Sequence, residues 1–177
     1  MKPVQRLLLA WSAGIALLLL LRWVLVPEPL CESFTERWPG ETLLPGFVSC
    51  ASQAEALAVV GPDVVWRVIE DSPGPKDGRP PFDIRVVQAD SVACLGQRGR
   101  LQLSFFNDRL EEAAFFADDP EALLANLRSQ GVFLDADGRF ERGNLGIDFG
   151  TTPRGRAVMC RDLRLWRQQQ RWIGKYS

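Results

Sequence analysis

The stretch Leu7–Val26 (LLLAWSAGIALLLLLRWVLV) constrains everything that follows it. Leu7–Leu21 is apolar except for Ser12. A bilayer core asks for about 20 apolar residues in a helix, a length reached here only if Arg22 is included. An arginine one turn from the end can carry its charge to the headgroups, and Trp23 beside it suits the interface. Lys2 and Arg6 precede the stretch, and the first acidic residue is Glu28. The positive-inside rule then keeps this end in the cytoplasm and sends everything after Val26 across the membrane. A cleaved signal peptide, with Leu7–Leu21 as its apolar region, is the competing reading, but the exit RWVLVPEPLCES lacks a small-x-small pattern. Cys31 follows Glu28, Pro29 and Leu30, which are not the small residues of a lipoprotein signal. A buried helix of a soluble core is the third alternative. The expected organisation is a cytoplasmic end 1–6, a signal-anchor 7–26, a tether 27–46 and one domain 47–177. That domain lies in the periplasm or another extracytoplasmic space, with the anchor in the cell inner membrane.

Charge is segregated along the chain. Residues 1–26 hold three basic residues and no acidic ones, residues 27–152 hold 11 basic and 21 acidic, and residues 153–177 hold seven basic and one acidic. An acidic body outside the cytoplasm disfavours nucleic acid as a partner. The basic segment 153–177 either meets a phosphate-rich partner, folds against the acidic body, or forms a solvated face. The four cysteines, Cys31, Cys50, Cys94 and Cys160, suit two disulfides in that compartment. Of the three pairings, Cys31–Cys50 with Cys94–Cys160 is favoured. There is no CxxC and no histidine, which excludes thioredoxin-like redox sites, His-based triads and His-ligated metal centres.

Local signals place the elements. One helical turn is expected around Phe34–Trp38. Ser52-Gln-Ala-Glu55 is a capping box that opens a short helix ended by Gly61-Pro62. Val64–Glu70 reads as a strand, Asp71–Pro81 as a proline-rich loop, and Phe82–Gln88 as a strand continued by Ser91–Leu95 after a bulge at Ala89-Asp90. Gly96–Gly99 reads as a turn and Arg100–Phe106 as the next strand. Asn107-Asp108 is a two-residue turn into its partner Arg109–Phe116. Asp119 caps a helix with Pro120 at its first position, a stripe of Leu123, Leu124 and Leu127, and Gly131 at its end. Residues 132–150 suggest a hairpin around Asp137-Gly138 and an irregular strand, followed by a strand Gly155–Arg161. Asp162 can cap a closing helix whose buried face is Leu163, Trp166, Gln170 and Ile173, with Leu165 arguing for a strand instead. The class is α+β, with short helices on a small antiparallel sheet of two to four central strands, because the turns are too short for parallel crossovers.

The features from Leu57 to Leu110 include Gly61-Pro62, the strand Val64–Glu70, and the run Gly99-Arg-Leu-Gln-Leu-Ser-Phe-Phe-Asn-Asp-Arg-Leu110. This third of the chain resembles the small modules of the outer-membrane assembly lipoprotein BamE and the β-lactamase inhibitor proteins. The resemblance implies short helices on an antiparallel sheet and a role in binding proteins without catalysis.

Catalytic patterns are sparse. Asp118-Asp119 reads as a helix cap with a solvated neighbour. Asp135-Ala-Asp137-Gly138 opens like a calcium loop, but residue 144 is Asn where an EF-hand needs Glu, so a turn is expected. Glu111 and Glu112, adjacent on a strand, should face opposite sides. Three function classes follow. The first is a membrane-anchored, non-catalytic module that binds another envelope or membrane protein, with no cofactor or metal. Its candidate contact residues are Trp38, Trp66, Arg154, Arg156, Arg161, Arg164, Trp166, Arg167 and Trp172. The second is a lipid or small-ligand binder using the arginines of 154–167. The third is a carboxylate-dependent hydrolase, which requires two of Asp118, Asp119, Asp135, Asp137 and Asp148 in one cleft.

Overall fold

A computed structural model describes residues 34–177, so the membrane stretch, its signal-peptide alternative and any pairing of Cys31 lie outside the described residues. In chain order these form β1 (Thr42–Leu44), β2 (Phe47–Val48), α1 (Gln53–Ala58), β3 (Trp66–Ser72), β4 (Ile84–Cys94), β5 (Gln97–Phe106), β6 (Arg109–Ala117), α2 (Pro120–Ser129), β7 (Arg139–Arg142), β8 (Leu145–Thr152), β9 (Gly155–Asp162) and α3 (Leu163–Tyr176). Among the described residues, no helix is long and apolar enough to cross a membrane.

The class is α+β, and the sheet is larger than the sequence suggests. β1 and β2 make a small hairpin, and the other seven strands form one antiparallel sheet in the order β3-β4-β5-β6-β9-β8-β7. The strand-rich return is not a satellite. Glu112–Phe115 of β6 pairs with Val158–Arg161 of β9, which adds three strands to the central four. The Asn107-Asp108 turn is present, with φ of 49° and 55°, the left-handed values a two-residue hairpin needs. β4 runs through the expected irregularity between Ala89 and Val92, where Ser91 takes φ 57°. The second hairpin turns at Gly143-Asn144 rather than at Asp137-Gly138, since Arg142 pairs with Leu145. Asp135 Oδ1 accepts from the amides of Asp137 and Arg139, both at 2.9 Å, so that loop is self-capped and merely leads into β7.

The helices start where their caps stand. Ser52 Oγ accepts from the Glu55 amide at 3.3 Å while Glu55 Oε2 accepts from the Ser52 amide at 2.7 Å. Asp119 Oδ1 accepts from the Glu121 and Ala122 amides at 3.1 and 3.0 Å. Asp162 Oδ1 accepts from the Arg164 amide at 2.8 Å, which resolves the last segment as a helix. Its packing face differs from the expected one: Leu163, Leu165 and Trp172 are buried, whereas Trp166 and Ile173 are exposed. Both stripes have helical spacing, and the sheet end it crosses selects the one with Trp172.

One sheet face carries the core. Val87, Leu101, Leu103, Phe105, Phe115 and Val158 are buried there against Leu123 and Leu127 of α2, Ala56 of α1, and Leu43, Leu44 and Phe47 of the small hairpin. Residues 34–46 are therefore part of the fold and not a tether. Phe34 is 1% exposed and packs with Phe106 and Trp172 in a second cluster, under α3.

Candidate interaction face

Alternation along each strand puts every second residue on the face opposite α1 and α2. Register then lines these residues into rows that cross the sheet. One row reads Glu70, Val86, Ser104, Glu112, Arg161, Gly146, Glu141, and the next reads Arg67, Gln88, Gln102, Ala114, Met159, Asp148, Arg139. The rows are largely polar, interrupted by Val86 and Gly146 in the first and by Ala114 and Met159 in the second, where Ala114 is buried with Phe116 and Ala157. Such a surface is what an antiparallel sheet shows when one face packs on a core and the other meets solvent or a partner.

Arg161 is the centre of charge on this face. Its Nε and Nη2 donate to Glu112 Oε2 at 3.0 and 2.7 Å, its Nη2 lies 3.8 Å from Asp148 Oδ2, and Asp148 Oδ1 lies 3.3 Å from Arg139 Nε. All but Arg139 are half-buried. Alternating sign in one connected set fixes the side chains without cancelling their capacity to take a polar partner. Beside them opens a cleft of about 240 Å³, lined by Phe140, Gly146, Leu163 and Trp166 as well as Arg161 and Asp148. A second, apolar concavity of about 460 Å³ lies between Pro45, Val59, Val64 and the Cys94–Gly96 turn, on the core side.

The candidate contact residues do not form a single cluster. Arg161 and Trp166 meet at the cleft. Arg154 Nη1 donates to Gln102 Oε1 at 2.6 Å, and Arg100 Nη2 donates to the Arg154 carbonyl at 2.5 Å, which brings the β8–β9 turn over the middle rows. Arg156 pairs with Glu121 of α2. Arg164 pairs with Asp162 and donates to the Pro39 carbonyl at 3.1 Å. Part of the basic segment thus folds against the acidic body, which was one of its three expected fates. Arg167 stays exposed on α3. Trp38 is half-buried, with the guanidinium carbons of Arg109 and Arg164 at 5.6 and 5.2 Å from its ring centroid. Trp66 starts the edge strand β3 and packs on the core rim. Trp172 is 4% exposed and donates its indole N–H to the Pro80 carbonyl at 3.0 Å, so it is a core residue and not a surface contact.

Cys50, Cys94 and Cys160 are buried free thiols among the described residues, and no bond joins Cys94 to Cys160. Burial pushes the Cys94 thiol up to about 11 and the Cys160 thiol up to about 12. The carboxylates named for a hydrolase are already engaged: Asp119 caps α2, Asp135 caps its loop, and Asp148 sits between two arginines. Among the described residues, no group of three metal-ligating side chains converges.

Two charged residues escaped the sequence reading. Arg109 is fully buried, and it donates to the carbonyls of Phe106, Phe34 and Glu36 and to Gln168 Oε1 of α3. Glu111 sits in a bulge. Ser104 pairs with Glu112 and Phe105 with Leu110, so Glu111 has no partner in the ladder. The bulge overturns the expectation that Glu111 and Glu112 lie on opposite sides. Burial chiefly, then the Glu112 charge, pushes the Glu111 carboxyl up to about 7. No periodicity in the sequence marks a bulge, so neither the burial nor the coupling was visible there.

No protein-family profile matches the chain, and no curated protein matches it.

Proposed function

We propose that the chain is a membrane-anchored, non-catalytic module that presents the polar sheet face to another protein of the cell envelope. The observation that carries this reading is the pair of rows running across all seven strands, with the ion-paired Arg161 and the cleft beside it among them. The paired charges favour a partner that brings its own hydrogen-bonding groups to the interface. The resemblance of residues 57–110 to protein-binding modules points the same way. So does the hydrophobic stretch Leu7–Val26, which on the sequence reading holds the domain outside the cytoplasm.

The test is site-directed photo-crosslinking in native membranes. A crosslinker at Gln102 or Met159, on the polar face, should give a discrete protein adduct. One at Ala125, exposed on α2, should not. If neither face yields an adduct, or Ala125 yields the same one, this face is not the docking surface.

A further inference from the structure

The cleft beside Arg161 opens where one strand position has no side chain. In the row that crosses β9, β8 and β7, Gly146 stands between Arg161 and Glu141. Leu163, the first residue of α3, comes down onto this glycine. A Cβ at Gly146 would lie 2.9 Å from Leu163 Cδ2 and 3.6 Å from Arg161 Cγ. Trp166 follows three residues later, so the helical repeat sets it on the same side of α3 as Leu163, and both line the cleft. Trp166 is 38% exposed, and among the described residues no cation lies over its ring, whereas Trp38 and Trp172 each have one.

Charge in the cleft is unevenly matched. Arg161 donates from Nε and Nη2 to Glu112, and Arg139 Nε lies 3.3 Å from Asp148 Oδ1. Asp148 Oδ2 reaches Arg161 only at 3.8 Å, which leaves it able to accept a closer donor. Glu141 lines the same cleft, and among the described residues no cation pairs with it. Two guanidiniums thus meet three carboxylates, those of Glu112, Asp148 and Glu141. A volume of about 240 Å³ is smaller than the roughly 300–1,000 Å³ of sites that enclose a small molecule, and it suits one side chain. An indole face without a cation, beside a carboxylate without a cation, attracts positive charge by two independent routes.

We propose that the cleft takes an arginine side chain of the protein partner, its guanidinium stacked on Trp166 and donating to Glu141 and Asp148. This rests on the docking face proposed above and names the chemistry that the partner brings to it. Arginine suits the cleft better than lysine, because a flat, weakly hydrated guanidinium stacks on an indole and forks onto a carboxylate at the same time. An acidic side chain is opposed by Glu141 and Asp148, while Glu112 already holds Arg161.

Fluorine NMR of the full chain in detergent micelles, labelled with 5-fluorotryptophan, reads the cleft directly. The Trp166 signal is the one missing from Trp166→Phe, and the signal of buried Trp172 reports that each variant is folded. Acetyl-glycyl-arginyl-glycinamide should shift the Trp166 signal saturably and leave the Trp172 signal in place. In Glu141→Gln the midpoint should rise about threefold or more, as for loss of one exposed ion pair. The glutamine analogue of the peptide should give no shift. Absence of a saturable shift up to about 50 mM arginine peptide overturns the proposal. An equal or stronger response to the lysine or glutamate analogue overturns it as well. The crosslinked adduct at Met159 in native membranes reports the docking face separately. An adduct whose yield is unchanged in Trp166→Leu/Glu141→Gln removes the cleft from the interface and leaves the face standing. No adduct at all, with the arginine peptide still shifting Trp166, overturns the docking face itself.

Discussion

Ser49 Oγ donates a 2.7 Å hydrogen bond to Asp162 Oδ2 across 113 residues of chain. The same carboxylate caps α3 and holds Arg164, while Ser49 Oγ accepts the Glu41 amide at 2.8 Å. The start of the domain and its last helix thus share one fully buried carboxylate. Burial alone would raise this carboxyl, but hydrogen bonds from Arg164 and Ser49 outweigh it and hold it below the ordinary carboxylate value. A depressed carboxyl stabilises the fold above its unfolded value of about 3.9, and the contribution is lost as pH falls through the folded value. Asp162→Ala should cost about 3 kcal/mol or more at pH 7, from a lost cap and an orphaned Arg164. Asp162→Asn should lack the acid-limb loss of stability below about pH 4 that the native protein shows in urea titrations. An identical acid limb in the two proteins would remove Asp162 from this role.

Among the described residues, no carboxylate pairs with the Arg109 guanidinium. Desolvation lowers its affinity for the proton, and backbone carbonyls with Gln168 take its donors. Arg109→Met should leave those acceptors buried and unpaired, a loss of about 3–5 kcal/mol. Lysine cannot serve three carbonyls in a planar fork, so Arg109→Lys should recover only part of it. The segment 34–38 is released first, and limited trypsinolysis should therefore cut at Arg37 faster in both variants than in the native protein. Unchanged cleavage at Arg37 would mean that Arg109 does not fasten this segment.

What was legible in the sequence was local. The Ser52–Glu55 box, the Asp119 and Asp162 caps and the Asn107-Asp108 turn each depend on contacts within a few residues, and each stands where its signal predicted. The pairing of β9 with β6 depends on residues 112 and 161 meeting, and nothing local specifies that. The face of α3 was misread because Leu163-Trp166-Ile173 and Leu165-Trp172-Tyr176 are equally periodic. Only the apolar sheet end with Ile84 and Phe106 decides between them. The candidate face was invisible for the same reason: Glu112, Arg161 and Asp148 become one set only through register.

The buried thiols should be chemically silent in the native fold. With thiols near 11 and 12, Cys94 and Cys160 present roughly a thousandth or less of thiolate at pH 8, and burial blocks the reagent as well. Reduced protein should therefore leave these two unreacted with a thiol reagent until urea unfolds it, after which both react at ordinary rates. Rapid native labelling of Cys94 would show that the concavity beside it opens.

Glu111 sets the opposite pH dependence to Asp162. Glu111 is 5% exposed, and burial together with Glu112 raises its carboxyl to about 7, against an unfolded value of about 4.3. Arg161 and Arg109 oppose the shift, while Asp162 adds to it. A raised carboxyl binds more protons folded than unfolded. Its stabilising contribution is therefore fully present below the unfolded value and is lost as pH rises through the folded one. The window runs from about pH 4 to about pH 7, and the loss amounts to roughly 3 kcal/mol. Glu111→Gln removes the charge and keeps the shape, so it should raise stability at pH 8 relative to the native protein and leave it nearly unchanged at pH 4. Glu112→Gln should shrink the native protein's loss across that window, because the second charge helps to raise the first. Urea midpoints measured at pH 4.5, 6 and 8 decide the matter. A flat difference between Glu111→Gln and the native protein over that range would mean that the bulge carboxylate is solvated and its neighbours do not couple to it.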